Sequence, residues 1–375
     1  MKILVNGYVG KSVTGIGRTL YETMIRIHQY LPELSILLTV NYDNKAFVNA
    51  KWPKNVKLIP VFVSKESIIG NIMFNTIVFP ILASLKNVDL CYISNFMPIL
   101  FKTKKTIVLI HDLIEFRIPQ KFSRLRMFYR KLVVPTMAHK SDAIITVSNN
   151  SKCDIEQIFE IDQAKITVIP NGVNNIYTSV SKIEKPDQNY ILYVGTIDYP
   201  GKNIHNLIKG YELFRSKHDN GEKLIICGGD GQNSAVIHKM ATESKYCEDI
   251  IFTGYVSDTE LGRIYTHAKV FAFLSYYEGF GLPILEAMVH NIPVITSNCS
   301  SLPEIAGDAA IICDPDDTEG ISKSLHKLIS SEKVRREYIT KGLENVKKYS
   351  WHSTAKRTSE EIMKLIPENK QYRGK

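Results

Sequence analysis

The amino-acid sequence predicts an α/β protein of two domains, each a parallel sheet with helices on both faces. Three observations carry that expectation. The chain has 375 residues, more than one domain usually holds. Short apolar, strand-forming runs alternate with helical patterns, as βαβ units require. After a polar segment at Thr178–Asn189 the alternation starts again with Tyr190-Ile-Leu-Tyr-Val. The first domain is therefore expected over 1–178 and the second over 179–350.

In chain order, Lys2–Asn6 reads as the first strand, too short an apolar run for a secretory signal. A glycine-bearing loop, Gly7–Gly17, and a helix from about Arg18 to Tyr30 follow. Gly10-Lys11-Ser12 resembles the end of a P-loop, but Val5 stands where that pattern needs its first glycine. The three-glycine dinucleotide fingerprint is absent too. Strands are expected at Ser35–Asn41, Val56–Val61, Asp89–Ser94, Thr106–His111 and Ala143–Val147. Ile68–Leu85 is apolar over 18 residues, the lower limit for a membrane span. Its Asn71, Asn75, Thr76 and Pro80 argue instead for a helix that is buried or lies in an interface.

The net charge is +9, and it is uneven. Residues 1–180 sum to +10 and the remainder to −1, so the first half either faces an anionic partner or is simply a solvated basic surface. Gln120–Lys140 concentrates Lys121, Arg124, Arg126, Arg130 and Lys131 among apolar residues at 122, 125, 128/129 and 132, a basic amphipathic helix. It suits anionic lipid, or it is an ordinary helix with its apolar face in the core. Nucleic acid is not expected, since no stacking platform or recognisable module accompanies the charge. The six cysteines contain no Cys-x-x-Cys pair, which fits free thiols in a reducing cytosol. His111-Asp112 closes a strand at the sheet end where ligands gather, though a satisfied strand-end histidine would look the same.

The second domain centres on residues 270–289. Val270–Leu274 reads as a buried strand, Gly279 and Gly281 as a loop, and Pro283 as the start of a helix. Bare N–H groups at a helix start suit phosphate, and carboxylates such as Glu278 and Glu286 accept from sugar hydroxyls. The segment thus suits a ligand with both groups. Elsewhere, Leu224–Gly229 and Ile250–Val256 read as strands, and Ser257-x-x-Glu260 as a capping box.

Glu278-Gly-Phe-Gly-Leu-Pro-Ile-Leu-Glu286 resembles the Glu-x7-Glu signature of the retaining, nucleotide-sugar-dependent glycosyltransferases of family 4, the group 1 glycosyl transferases. The likeness covers nearly the whole chain and is most specific from Gly254 to Glu304. It implies the GT-B fold, two Rossmann-like domains facing across a cleft, with 351–375 a last helix crossing back to the first. It also implies a GDP-, UDP- or TDP-linked sugar as co-substrate on the second domain and an acceptor on the first. No cofactor and no obligatory metal are implied.

By that resemblance Glu286 accepts from the ribose, while Glu278 and the N–H groups of Phe280–Leu282, in the loop with Gly279 and Gly281, hold the sugar. Gly195, Thr196, Lys202 and Asn203 meet the diphosphate, and Tyr255 and Val256 flank the base. Gly15 and Gly17 lie under the donor phosphates, and His111 orients the sugar at the reaction centre. The family's arginine near Thr196–Asp198 is missing, so Lys202 with backbone N–H groups, or Arg263, must serve. Asp314-Pro-Asp316 is literally the metal motif of the other glycosyltransferase fold, but its place between strand and helix reads as a turn.

The implied activity is transfer of a mannose-, glucose- or rhamnose-like hexose to a lipid-linked glycan in bacterial surface-polysaccharide (O-antigen or capsule) assembly. The expected place is the cytoplasm, peripheral on the inner membrane face, with Arg124, Arg126, Arg130 and Lys131 toward acceptor or lipid. Two alternatives stand beside it. A glycoside hydrolase also uses two carboxylates, and a non-catalytic relative would bind the donor without transfer.

Overall fold

The structure is a computed structural model that describes residues 1–7, 15–64, 67–94, 102–119, 124–173, 190–218 and 221–366, the side chains of Ile68, Leu125 and Arg126 excepted. The Gly10-Lys11-Ser12 segment, Lys121, the linker Thr178–Asn189 and the tail from Pro367 lie outside the described residues. The chain divides into two units. One takes in the described residues of Met1–Arg117, Phe122–Gly172 and Trp351–Lys375, and the other those of Ile118–Lys121 and Val173–Ser350.

In the first unit, β1 (Lys2–Asn6), β2 (Ser35–Asn41), β3 (Val56–Val61), β4 (Leu90–Ile93), β5 (Lys105–Ile110), β6 (Ala143–Thr146) and β7 (Ile166–Val168) form one parallel sheet. Its order is β3-β2-β1-β4-β5-β6-β7. β1 is central, with Ile3 opposite Ile36 on one side and Leu90 on the other. Ile3, Leu4 and Val5 are all fully buried, because helices cover both faces of a parallel sheet. The expected strands agree with these to within a residue; β7 has only three residues and escaped notice.

The stretch 68–85 is a helix that passes from Ile68–Met73 through a π-helical turn at Phe74–Val78 into Phe79–Leu85. Pro80 offers no N–H to the carbonyl of Thr76 and its ring crowds that oxygen, so the turn widens. The helix lies with its polar side inward. Asn6 donates to Asn75 Oδ1 at 3.0 Å, and Asn41 to Asn71 Oδ1 at 3.3 Å, all four residues being buried. Of the two expected places, buried or in an interface, burial does not hold for its aliphatic half, which is exposed. No helix among the described residues is long and apolar enough to cross a membrane.

Helix Arg124–Lys140 also turns differently from expectation. Met127, Val133, Val134, Met137 and Ala138 form its core side, leaving Phe128 and Leu132 exposed. The 127/130/133–134/137–138 stripe carries Arg130 inward, with Nε 2.9 Å from the buried Glu115 carboxylate. The last helix, Trp351–Leu365, packs on Gly15–Met24 in the first unit. There Thr354 donates to the Pro170 carbonyl at 2.8 Å and Arg357 to that of Val168 at 2.7 Å.

In the second unit, β8 (Tyr190–Val194), β9 (Lys223–Cys227), β10 (Ile250–Gly254), β11 (Val270–Phe273), β12 (Val294–Ser297) and β13 (Ala310–Cys313) form a parallel sheet ordered β10-β9-β8-β11-β12-β13. The chain winds one way from β8 and the other way from β11, so the order reverses between them.

Candidate active site

Open parallel sheets take ligands at the carboxyl ends of the strands where the order reverses. In the second unit that point joins the loops after β8 and β11. Lys202 comes from the first loop and Glu278 from the second, and Lys202 Nζ lies 2.6 Å from Glu278 Oε1. The Tyr276 N–H donates to the Gly201 carbonyl at 3.1 Å, tying the loops together. The lysine also lies 5.9 Å from the centre of the Phe273 ring.

The lysine's backbone is anchored from the far end of the sheet. Asn203, in the left-handed region with φ 52°, donates to the Pro315 carbonyl at 2.8 Å. Asn206 donates to the same oxygen at 3.0 Å and to Asp316 Oδ1 at 3.1 Å. Asp314 Oδ1 accepts the Asp316 N–H at 2.9 Å, so Asp314-Pro-Asp316 is a turn that holds the 202–206 segment, with Tyr276 Oη also bonded to Asp316. Gly195 and Gly228 meet backbone to backbone, and a Cβ on Gly228 would sit 2.0 Å from the Gly195 oxygen. Thr196 is exposed, its carbonyl accepting from Tyr193 Oη at 3.1 Å. In Thr196–Asp198 the buried residues are Ile197 and a carboxylate, Asp198, and Arg263 is exposed on helix Asp258–His267.

The loop from Glu278 to Leu282 is clamped by two serines. The Glu278 N–H donates to Ser300 Oγ at 2.9 Å, and Ser301 Oγ lies 2.9 and 3.0 Å from the carbonyls of Glu278 and Phe280. Gly281 takes φ +103° at the start of helix Leu282–Val289, a conformation only glycine adopts readily. Phe280 is buried edge-on to Tyr349. Gly279 is buried, and its φ is not positive. Glu286 is the fifth residue of the helix. It is buried and accepts from the Tyr265 hydroxyl at 3.2 Å. Tyr265 in turn stacks on the His290 ring, centroids 5.0 Å apart. Beyond β10, Tyr255 is exposed and Val256 half-buried.

In the first unit, His111 directly follows β5. Its carbonyl accepts from Ser151 Oγ at 3.0 Å, and Ser148 caps the same helix, Asn149–Phe159, by accepting the Ser151 N–H at 3.1 Å. His111 Nε2 is buried with no hydrogen-bond partner among the described residues. Burial pushes the imidazole down to about 4, so it is neutral at neutral pH. Asp112 accepts the Ile114 N–H at 3.1 Å, a local turn. Gly15 is exposed at the start of the first helix and Gly17 is buried within it. Of the four basic residues expected to face lipid or acceptor, Arg124 and Lys131 are exposed. Arg130 is drawn inward by Glu115, and the Arg126 side chain lies outside the described ones.

Sequence reasoning missed Tyr265, Ser300, Ser301 and Asn206. Tyr265 looks like one more core aromatic at helical spacing. Ser300 and Ser301 stand within the most family-like stretch, Gly254–Glu304, but the resemblance assigns them no role.

Residues 178–345 match the family model described as Glycosyl transferases group 1, and residues 13–175 that of Glycosyltransferase Family 4. The chain is 30% identical over 266 residues to O-antigen chain mannosyltransferase B of Escherichia coli, covering 68% of this chain and 70% of that protein. Among solved structures it resembles WaaG, a glycosyltransferase involved in lipopolysaccharide biosynthesis, at TM-score 0.74 and 16% identity, over 96% of this chain and 99% of that one. It also resembles Anabaena Alr3699/HepE in complex with UDP-glucose, at TM-score 0.72 and 15% identity, over 98% and 100%. These likenesses show the GT-B fold.

Proposed function

The chain belongs to the group 1 glycosyltransferases of family 4, and from that premise we propose that it moves a hexose, with retention, from a nucleotide sugar to a lipid-linked glycan of a bacterial surface polysaccharide. The observation that carries this reading is the Lys202–Glu278 pair at the reversal point of the second sheet. A cation for a diphosphate and a carboxylate for sugar hydroxyls stand side by side there. The mannosyltransferase relative favours mannose, while the likeness to a UDP-glucose complex favours a uridine-linked donor over the GDP- and TDP-linked ones.

In this reading Glu286 accepts from the ribose, and Tyr255 with Val256 flanks the base. Lys202 and the N–H groups of the 195–203 turn hold the diphosphate without a metal, and no cofactor takes part. Gly15 and Gly17 open a helix N-terminus toward the phosphates. The sugar C1–O bond to phosphate breaks as the bond to the acceptor oxygen forms on the same face. The departing phosphate oxygen takes the acceptor's proton. Charge develops on sugar and diphosphate together, so preorganised donors at the phosphate lower the barrier most directly. Neutral His111 orients the sugar.

The test is a melting-temperature panel with GDP-, UDP- and TDP-sugars on the intact chain and on Glu286→Ala, since a ligand that binds only the folded state raises that temperature. One nucleotide series should raise it, the rise should vanish in the variant, and the same donor should release its nucleoside diphosphate when acceptor is added. A folded Glu286→Ala that responds like the parent sinks the assignment.

A further inference from the structure

We propose, on the reading of Lys202 and Glu278 as the donor site, that Asn206, Tyr276 and Asp316 are positioning residues that hold this pair in one fixed frame. The three come from segments after three different strands. Asn206 lies in the first turn of helix Ile204–Lys217, which begins two residues after Lys202. Tyr276 stands two residues before Glu278 in the loop after β11, and Asp316 lies in the turn after β13. They meet at one oxygen, since Asp316 Oδ1 accepts from Asn206 Nδ2 at 3.1 Å and from the Tyr276 hydroxyl. Asn206 Nδ2 also donates to that hydroxyl at 3.3 Å, which closes a triangle.

One side of the triangle fixes the lysine. Asn203 and Asn206, three residues apart and so neighbours on one helix face, both donate to the Pro315 carbonyl, at 2.8 and 3.0 Å. Both asparagines are buried, so breaking these bonds would leave costly unpaired groups. The backbone next to Lys202 is thereby pinned to the turn after β13. That turn has its own support. Asp317 caps helix Thr318–Ser330 by accepting the Gly320 N–H at 2.9 Å. This helix packs so closely on Ile204–Lys217 that a Cβ on Gly210 would lie 2.5 Å from Ile321 Cγ2. The turn cannot shift without parting two packed helices.

Another side fixes the carboxylate. Tyr276 reaches the lysine's loop with its backbone, through the Gly201 carbonyl at 3.1 Å, and the third segment with its hydroxyl. Its ring lies against that of His205, centroids 6.2 Å apart. Burial, and then the Asp316 carboxylate, hold the hydroxyl's pKa well above its usual value, so it stays a donor at neutral pH. Glu278 follows two residues later and inherits this anchor. Asp316 itself is exposed, so its bonds add little to stability. What they set is direction. A charge misplaced by about 1 Å can cost a reaction roughly a hundredfold, far more than an exposed hydrogen bond costs the fold.

Hydrogen exchange on the full chain tests the frame without a ligand, and titration with GDP, UDP and TDP tests its consequence. In Tyr276→Phe and in Asp316→Ala, amides of 199–206 and 275–282 should exchange at least about tenfold faster, while those of β11 and β12 keep the parent's rate. Diphosphate affinity should fall about fivefold to tenfold in Asp316→Ala. Asp316→Asn keeps an accepting oxygen and should restore most of it. In a Lys202→Ala chain, Asp316→Ala should cost less than about twofold more, because Asp316 acts through the lysine. Parent-like exchange in both loops of the folded variants overturns the proposal, as does a full further loss in the Lys202→Ala chain. Faster exchange throughout the second unit also overturns it, since the network would then serve stability alone. Loop exchange as expected, with no diphosphate bound by the parent, keeps the frame and counts against the donor reading. Diphosphate binding that Lys202→Ala weakens and Asp316→Ala leaves intact does the reverse.

Discussion

Lys202 and Glu278 form an ion pair at 2.6 Å in which the two side chains are only 19% and 15% exposed. In the proposed mechanism a diphosphate and the carboxylate therefore compete for one ammonium group, and the donor displaces Glu278 before that carboxylate turns to the sugar. Glu278→Gln removes the competitor and keeps the shape. Nucleoside diphosphate should bind that variant roughly three- to tenfold more tightly, about 1 kcal/mol for a charge-assisted contact freed at this site. Transfer should fall by about a hundredfold or more, since a carboxylate is lost where positive charge develops. Isothermal titration and turnover on the same preparation read both. Weaker diphosphate binding in Glu278→Gln would remove the competition from the mechanism.

The Tyr265 hydroxyl orients Glu286 from inside the core. It touches no reacting atom in the proposed mechanism, so it is a positioning residue. Tyr265→Phe keeps the ring stacked on His290 and removes one hydrogen bond, for about 1 kcal/mol of stability. Donor KM should rise several-fold with kcat little changed, because a ribose contact is made equally in ground and transition states. A fall in kcat at constant KM would show that Tyr265 serves the chemistry instead.

The two sheets were legible in the sequence because fully buried parallel strands are continuous apolar runs, as in Ile3-Leu-Val and Val270–Phe273, bounded by glycine or polar residues. The Glu278–Glu286 loop was legible because glycine and proline mark backbone geometry directly. The inverted helix was not. Periodicity shows that Ile69, Met73, Ile77, Ile81 and Leu85 share a face, but not which face meets the sheet. That depended on Asn6 and Asn41, more than thirty residues upstream of Asn75 and thirty upstream of Asn71. Helix 124–140 misled for a related reason, since Glu115 buries an arginine that composition alone assigns to solvent. The Ser300 and Ser301 clamp depends on contacts 21 to 23 residues apart, beyond any local pattern.

Gly281 and Gly221 both hold positive φ, +103° and +75°, but only Gly281 is crowded. A Cβ there would meet Leu302 Cδ2 at 2.7 Å, whereas Gly221 has nothing within 4 Å. Gly221→Ala should cost only the backbone strain, about 1 kcal/mol. Gly281→Ala should cost about 2–3 kcal/mol, adding the displacement of Leu302, and it should weaken donor binding because the 278–282 loop must move. Urea melts of the two variants give the difference. Equal destabilisation would mean that Leu302 yields freely and the loop is not held by that contact.

His111 provides a pH signature with a fixed sign. Burial lowers its pKa from 6.5 to about 4, so as pH falls from 6.5 toward 4 the unfolded chain takes up this proton before the folded one does. The neutral imidazole's contribution is complete above pH 6.5 and is lost as pH drops through the folded value. His111→Gln has no proton to bind, so its stability should decline less than the parent's across that window, as read by urea melts at successive pH values. In the folded chain the imidazole resonances should stay those of the neutral ring at pH 6. Turnover should then show no His111-dependent inflection between pH 6 and 8, as the proposed role of the uncharged ring in orienting the sugar requires. An inflection near 6.5 that disappears in His111→Gln would instead make this residue a titrating participant in the transfer step.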